Sequence, residues 1–108
     1  MARKKTEKKL AGRPARYLRG LGHHLKPLVM LGREGISDNV VAATSAVLEA
    51  HELIKVKLGS GCLLDRNDVA AALAEKTGSQ IVQVLGKTIL LFRANPERSD
   101  GQGIRLPE

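Results

Sequence analysis

Aromatic residues are nearly missing from this 108-residue chain. Tyr17 and Phe92 are the only two, and there is no tryptophan. Modules that read single strands by stacking bases need aromatic platforms, so a stacking-based reader is disfavoured. Cysteine is as scarce. Cys62 stands alone, which excludes a disulfide framework and predicts a reducing compartment, read here as the cytoplasm. No run approaches the ~20 apolar residues of a membrane span, and the N-terminus lacks the apolar stretch of a secretory signal.

Acidic residues are also missing, but only from the first third. Residues 1–33 hold ten Lys/Arg against Glu7, a local charge of +9. The remaining 75 residues hold eight basic and ten acidic groups, a net of −2, for a total of +7. The positive field therefore belongs to the front of the chain, and such asymmetry suggests a nucleic-acid or anionic-membrane partner. Apolar residues make up 43% of the chain, enough for one modest core, so a single domain is expected.

Residues 1–9 are nearly all charged and read as a basic flexible tail. A domain is expected over 10–94 and a flexible C-terminal tail over 95–108. The first helix is predicted to begin near Arg13-Pro14, since proline suits a first turn. Its apolar stripe is Tyr17, Leu18, Leu21 and Leu25. Lys26-Pro27 ends it, and a strand over 27–31 follows. A second helix over 38–50 should bury Val40, Val41, Thr44, Val47, Leu48 and His51.

Leu53-Ile54-Lys55-Val56-Lys57-Leu58 alternates as a strand with one apolar face. A third helix over 65–77 follows, with Asp65 as N-cap and Gly78 as C-terminal cap residue. Two more strands, 80–85 and 88–93, flank a Gly86-Lys87 hairpin turn. Ile89-Leu90-Leu91-Phe92, apolar on both faces, reads as a central strand. The fold class is thus two-layer α/β, in the order α-β-α-β-α-β-β, with a mixed four-stranded sheet; the first helix is available to cover part of the second face.

One loop joins the first strand to the second helix: Gly32-Arg33-Glu34-Gly35, with Ser37 behind it as a helix N-cap. Two glycines three apart let the backbone turn sharply and let a bulky partner approach. The free N–H groups of a helix start favour anions, and a phosphodiester backbone is the obvious one. The plain alternative is an ordinary strand-to-helix turn.

Four stretches occur together in this order: Tyr17-Leu18-Arg19-Gly20-Leu21-Gly22-His23-His24-Leu25-Lys26-Pro27; Gly32-Arg33-Glu34-Gly35; His51-Glu52-Leu53-Ile54-Lys55-Val56-Lys57; and Gln83 to Arg93. With them the chain resembles the bacterial YhbY-like RNA-binding proteins, the stand-alone form of the CRM domain, over about residues 10–94. The resemblance implies a sheet like that of the C-terminal domain of translation initiation factor three, in strand order 1-2-4-3. It also implies RNA binding in ribosome biogenesis, on large-subunit ribosomal RNA precursor, with no catalysis. Its GxxG loop, expected to touch RNA, corresponds here to Gly32, Arg33, Glu34 and Gly35, with Lys26 beside it. Glu34 departs from the pattern: it is placed to repel RNA, to cap the helix start or to pair with Arg33.

The expected mechanism is electrostatic docking on RNA backbone. Peptide N–H groups at Gly32 and Gly35 approach phosphate, Lys26, Arg33, Arg16 and Arg19 supply charge, and Lys55, Lys57 and Lys87 are candidates to widen the footprint. For Lys55 and Lys57 the plain alternative is a solvated strand face. RNA is the expected partner of a monomer, with no cofactor, membrane or small-molecule substrate. The rival readings are a DNA-binding nucleoid protein, a small RNA-processing enzyme and a protein-binding ribosomal adaptor. No catalytic constellation supports the enzyme: His23, His24 and His51 lack a completing metal-ligand pattern, Cys62 has no evident activating base, and Gly86-Lys87-Thr88 lacks the glycine of a phosphate-binding P-loop.

Overall fold

The computed structural model describes residues 9–97 and 104. Seven elements follow in order: α1 (Gly12–Gly22), β1 (Pro27–Leu31), α2 (Asp38–His51), β2 (Leu53–Leu58), α3 (Arg66–Thr77), β3 (Gln80–Leu85) and β4 (Thr88–Phe92). They build one sheet in the order β1-β2-β4-β3. β1 runs parallel to β2, and β4 lies antiparallel to both β2 and β3. β4 is thus central, and Ile89, Leu90, Leu91 and Phe92 are all buried.

Alternation along the strands sends side chains to two separate cores. Val29, Leu31, Ile54, Val56, Leu58, Ile89 and Leu91 meet Leu48 of α2 and Val69, Ala70, Leu73 and Ala74 of α3. The opposite face carries Leu53, Val82, Leu90 and Phe92, which pack on Leu18 of α1. The first helix thus covers part of the second face, as expected.

α1 docks differently from its expected stripe. Leu18 is buried, but Tyr17, Leu21 and Leu25 are 44%, 39% and 37% exposed. Ala15 and Gly22 lie on the packed side instead. Small residues let the helix approach the sheet: a Cβ at Gly22 would lie 2.6 Å from Leu90 Cδ2. On α2, Thr44 and Leu48 are buried and Val40, Val41 and Val47 half-buried, while His51, in the last turn, is exposed rather than inward.

The helix ends follow their capping chemistry. Ser37 Oγ accepts the Val40 N–H at 3.2 Å. Asp65 Oδ2 accepts from Asn67 N–H at 2.9 Å and Asp68 N–H at 3.2 Å. Gly78, at φ +68°, closes α3 in the left-handed region that glycine enters without penalty.

Glu52 is the unexpected core residue. It sits between α2 and β2 at φ +67° and is 2% exposed. Its carboxylate accepts the N–H groups of Asn95 (2.5 Å) and Ile104 (2.6 Å). Arg93 ties the same corner together, donating to Ser45 O, Thr77 O and Glu49 Oε1. On β3, Lys9 bridges to Ile81 and the Leu10 N–H donates to Ile81 O at 2.8 Å. The rest of the basic run at 1–9, and of the segment 95–108 beyond 95–97 and Ile104, lies outside the described residues. Among the described residues no helix is long and apolar enough to cross a membrane.

Candidate nucleic-acid interface

β1 delivers the GxxG segment to the end of the sheet. Leu31 is buried, and the next four residues form a turn in which the Gly35 N–H donates to Gly32 O at 3.1 Å. Gly35 has φ +65°, and a Cβ there would meet Leu64 Cδ1 at 2.9 Å. This glycine is therefore explained by the fold. Gly32 is not: its φ is not left-handed, and a Cβ would meet nothing within 4 Å. Open space over a glycine that the turn does not require is what close approach by a partner needs.

The two glycines should separate by mutation. Gly35→Ala is expected to cost about 1 kcal/mol from backbone strain alone. Gly32→Ala should leave thermal stability within about 0.5 kcal/mol, the usual range for a surface change, yet weaken RNA binding. Parallel melting and binding curves check both. Equal stability losses would show that Gly32 serves the turn only.

Acids occupy the corner as well. Glu34 in the turn and Asp38 at the start of α2 are both exposed. Ser37 is the N-cap, so Glu34 does not take that place, and among the described residues no ion pair joins it to Arg33. Glu34 and Asp38 supply the negative charge that the helix start attracts. The side of the loop toward Gly32 and Arg33 is the one without these acids.

That side is the sheet end. Leu31 pairs with Leu58, so the end of β2 lies beside the loop. A Cβ at Gly61 would lie 3.5 Å from the Arg33 N, which brings the segment after β2 against the GxxG turn. The 86–87 hairpin meets the same edge, where the Leu58 N–H donates to Lys87 O and Arg66 Nη1 donates to Gly86 O, both at 2.8 Å. Arg33, Lys57, Lys87 and Arg66 thus share one end of the domain. Arg66 carries no signal in the sequence beyond its charge.

The face of the sheet that α1 leaves uncovered continues from there. Met30, Lys57, Thr88 and Leu85 form a row across four strands through the pairs Met30–Lys57, Lys57–Thr88 and Thr88–Leu85. Behind it, Lys55 pairs with Leu90, and Leu90 with Gln83. Lys55 and Lys57 therefore share their face with α1. Arg19 and His23 of the α1 region meet Lys55 across a cleft, while Arg16 is exposed on the helix.

Lys26 is the exception among the expected residues. It precedes β1, whereas the loop follows it, so a full strand separates them, about 20 Å at the usual rise. Adjacency to Gly32 is not observed. Among the described residues no group of three His, Cys, Asp or Glu could hold a metal ion; His23 and His24 meet edge to face, with ring centroids 5.2 Å apart.

The model of the CRS1/YhbY (CRM) domain matches residues 10–93. The chain belongs to the CRM domain family. Among its relatives is the Bacillus subtilis protein named "Probable RNA-binding protein YqeI", 42% identical over 98 residues, which span 91% of this chain and 99% of that one. A Haemophilus influenzae protein named "RNA-binding protein" is 35% identical over 98 residues, 91% of this chain and 95% of the other. The solution structure of SAV1595 from Staphylococcus aureus superposes with a TM-score of 0.74 at 37% identity, covering 91% of this chain and 99% of that one. In this CRM domain the loop, the sheet end and the open half-face form one continuous surface.

Proposed function

We propose that this CRM domain is a non-catalytic RNA-binding protein of ribosome biogenesis, acting in the cytoplasm as a monomer on large-subunit ribosomal RNA precursor. The observation that carries the reading is the continuity of its basic surface. Arg33 beside an unobstructed Gly32 leads to Lys57 and Lys87, then across the open sheet face to Lys55 and Arg19. Relatives named as RNA-binding proteins support the choice of RNA. The resemblance to YhbY-like proteins supports the ribosomal target. Lys26, a strand's length from the loop, extends the footprint over several nucleotides.

Backbone recognition sets the test. Removing one cation that neutralises a phosphate flattens the salt dependence of binding by about one unit of slope. Lys26→Ala with Arg33→Ala is therefore expected to weaken binding to structured RNA and to lower the slope by about two. An unchanged slope would remove both residues from the interface. Crosslinking of tagged protein to RNA in cells addresses the target: reads concentrated on large-subunit ribosomal RNA support the reading, and a DNA-only or scattered signal overturns it.

A further inference from the structure

The cleft between α1 and the sheet has a volume of about 440 Å³, within the ~300–1,000 Å³ range of small-molecule sites. Its chemistry is sorted. Arg19, His23 and Lys55 stand along it, and no carboxylate lines it. Gln83 and Thr88 add a neutral amide and a hydroxyl, over an apolar floor of Leu85 and Leu90. Among the described residues no side chain of Arg19, Lys55, Gln83 or Thr88 has a hydrogen-bond or ion-pair partner.

Gln83 reaches the cleft through an irregularity. The β3–β4 register shifts between Ile81 and Gln83. Ile81 and Val84 face the α2–α3 core, while Val82 packs toward α1 and Gln83 lines the cleft beside it. A regular strand would send Val82 and Gln83 to opposite faces; a bulge re-aims one side chain. Gly20 adds a second irregularity. It lies inside α1, lines the cleft, and a Cβ there would meet nothing within 4 Å. Glycine inside a helix costs about 0.5–1 kcal/mol relative to alanine, and packing does not require it here.

We propose that this cleft holds one unpaired nucleotide of the bound RNA. Leu85 takes the base face above the buried floor of Leu90, Gln83 and Thr88 hydrogen-bond its edge, and Arg19 and Lys55 hold the flanking phosphate. The inference rests on the RNA-binding reading and deepens it: the basic strip docks on backbone, and the cleft selects for an unpaired position. It also supplies base contact without the aromatic platform that the composition lacks. The nucleotide is part of a chain, because the cleft opens onto the Lys57–Thr88 row, which leads to the loop.

The test uses the full chain and four probes: 12-nucleotide homopolymers of A, C and U, and a blunt 12-base-pair RNA duplex. Gln83→Leu and Thr88→Val remove the neutral polar groups without changing charge. Each is expected to weaken binding to at least one homopolymer about fivefold, the worth of one hydrogen bond of ~1 kcal/mol. Duplex affinity and the salt slope should stay as in the wild type. Arg33→Ala, by contrast, should weaken binding to both strand and duplex. Melting curves identify any variant that misfolds, and the two substitutions are independent of each other. Unchanged affinity for all three homopolymers, or equal losses on strand and duplex, overturns the proposal. Wild-type protein that binds duplex but no homopolymer overturns the cleft and leaves the broader reading standing; protein that binds neither overturns both. Free mononucleotides competing as well as the homopolymer at equal concentration would overturn the chain-linked ligand.

Discussion

Replacing Arg33, Lys57 and Lys87 together with glutamate is expected to lower affinity for structured RNA by two or more orders of magnitude at about 150 mM salt. Three cations that would neutralise phosphate disappear, and three repulsive groups take their place. The cations lie at one end of the sheet, so the reversed charges would act on one stretch of RNA backbone. The fold should tolerate the change, because among the described residues none of the three side chains holds another part of the protein. Arg93 makes the contrast. Equally basic, it is bonded to Ser45, Thr77 and Glu49, and Arg93→Glu should damage the fold rather than the affinity of what remains folded. Binding titrations at several salt concentrations check the triple variant. A reduction under about threefold would mean that the sheet end is not where the charge of RNA is neutralised.

Glu52→Ala is expected to destabilise the domain by about 2–4 kcal/mol, since two N–H groups bonded to a charged acceptor lose it. For a domain of this size that lowers Tm by roughly 10–25 °C. The carboxylate is buried, and its partners, Asn95 and Ile104, stand 43 and 52 residues away. Glu52 also holds a backbone angle that L-residues rarely adopt. Glu52→Gly should therefore lose about 1 kcal/mol less than Glu52→Ala, because glycine removes the strain while losing the same carboxylate. Thermal and urea unfolding of the two variants measure both numbers. An alanine variant within about 1 kcal/mol of wild type would show that the carboxylate is replaceable by water.

The elements themselves are legible because each has a local cause. Alternation in Leu53 to Leu58 marks β2, and Ser37, Asp65 and Gly78 mark helix ends through bonds within three or four residues. The central place of β4 follows from its two apolar faces. What escapes depends on distant contacts. Glu52 carries no local signal of burial, and its role is set by Asn95 and Ile104, 43 and 52 residues further along the chain. Periodicity misjudges the docking face of α1 because it counts large apolar side chains, whereas the helix approaches the sheet through Ala15 and Gly22. The shift in β3 that aims Gln83 into the cleft leaves no compositional trace. Nearness in sequence links Lys26 to the loop, but an intervening strand separates them in space. The site is thus readable as a set of charges, while its layout is not.

Leu10 and Ile104 both pack on the small core beneath α1. The polypeptide accordingly enters and leaves the domain at one place. Domains with neighbouring ends can be inserted into a longer chain, or strung in series, without a linker crossing their working surface. The loop, the sheet end and the cleft are all built from residues 19–90, inside those two anchors. A tag or a second domain attached at either end would leave that surface made of the same segment of chain, which makes this a transferable module.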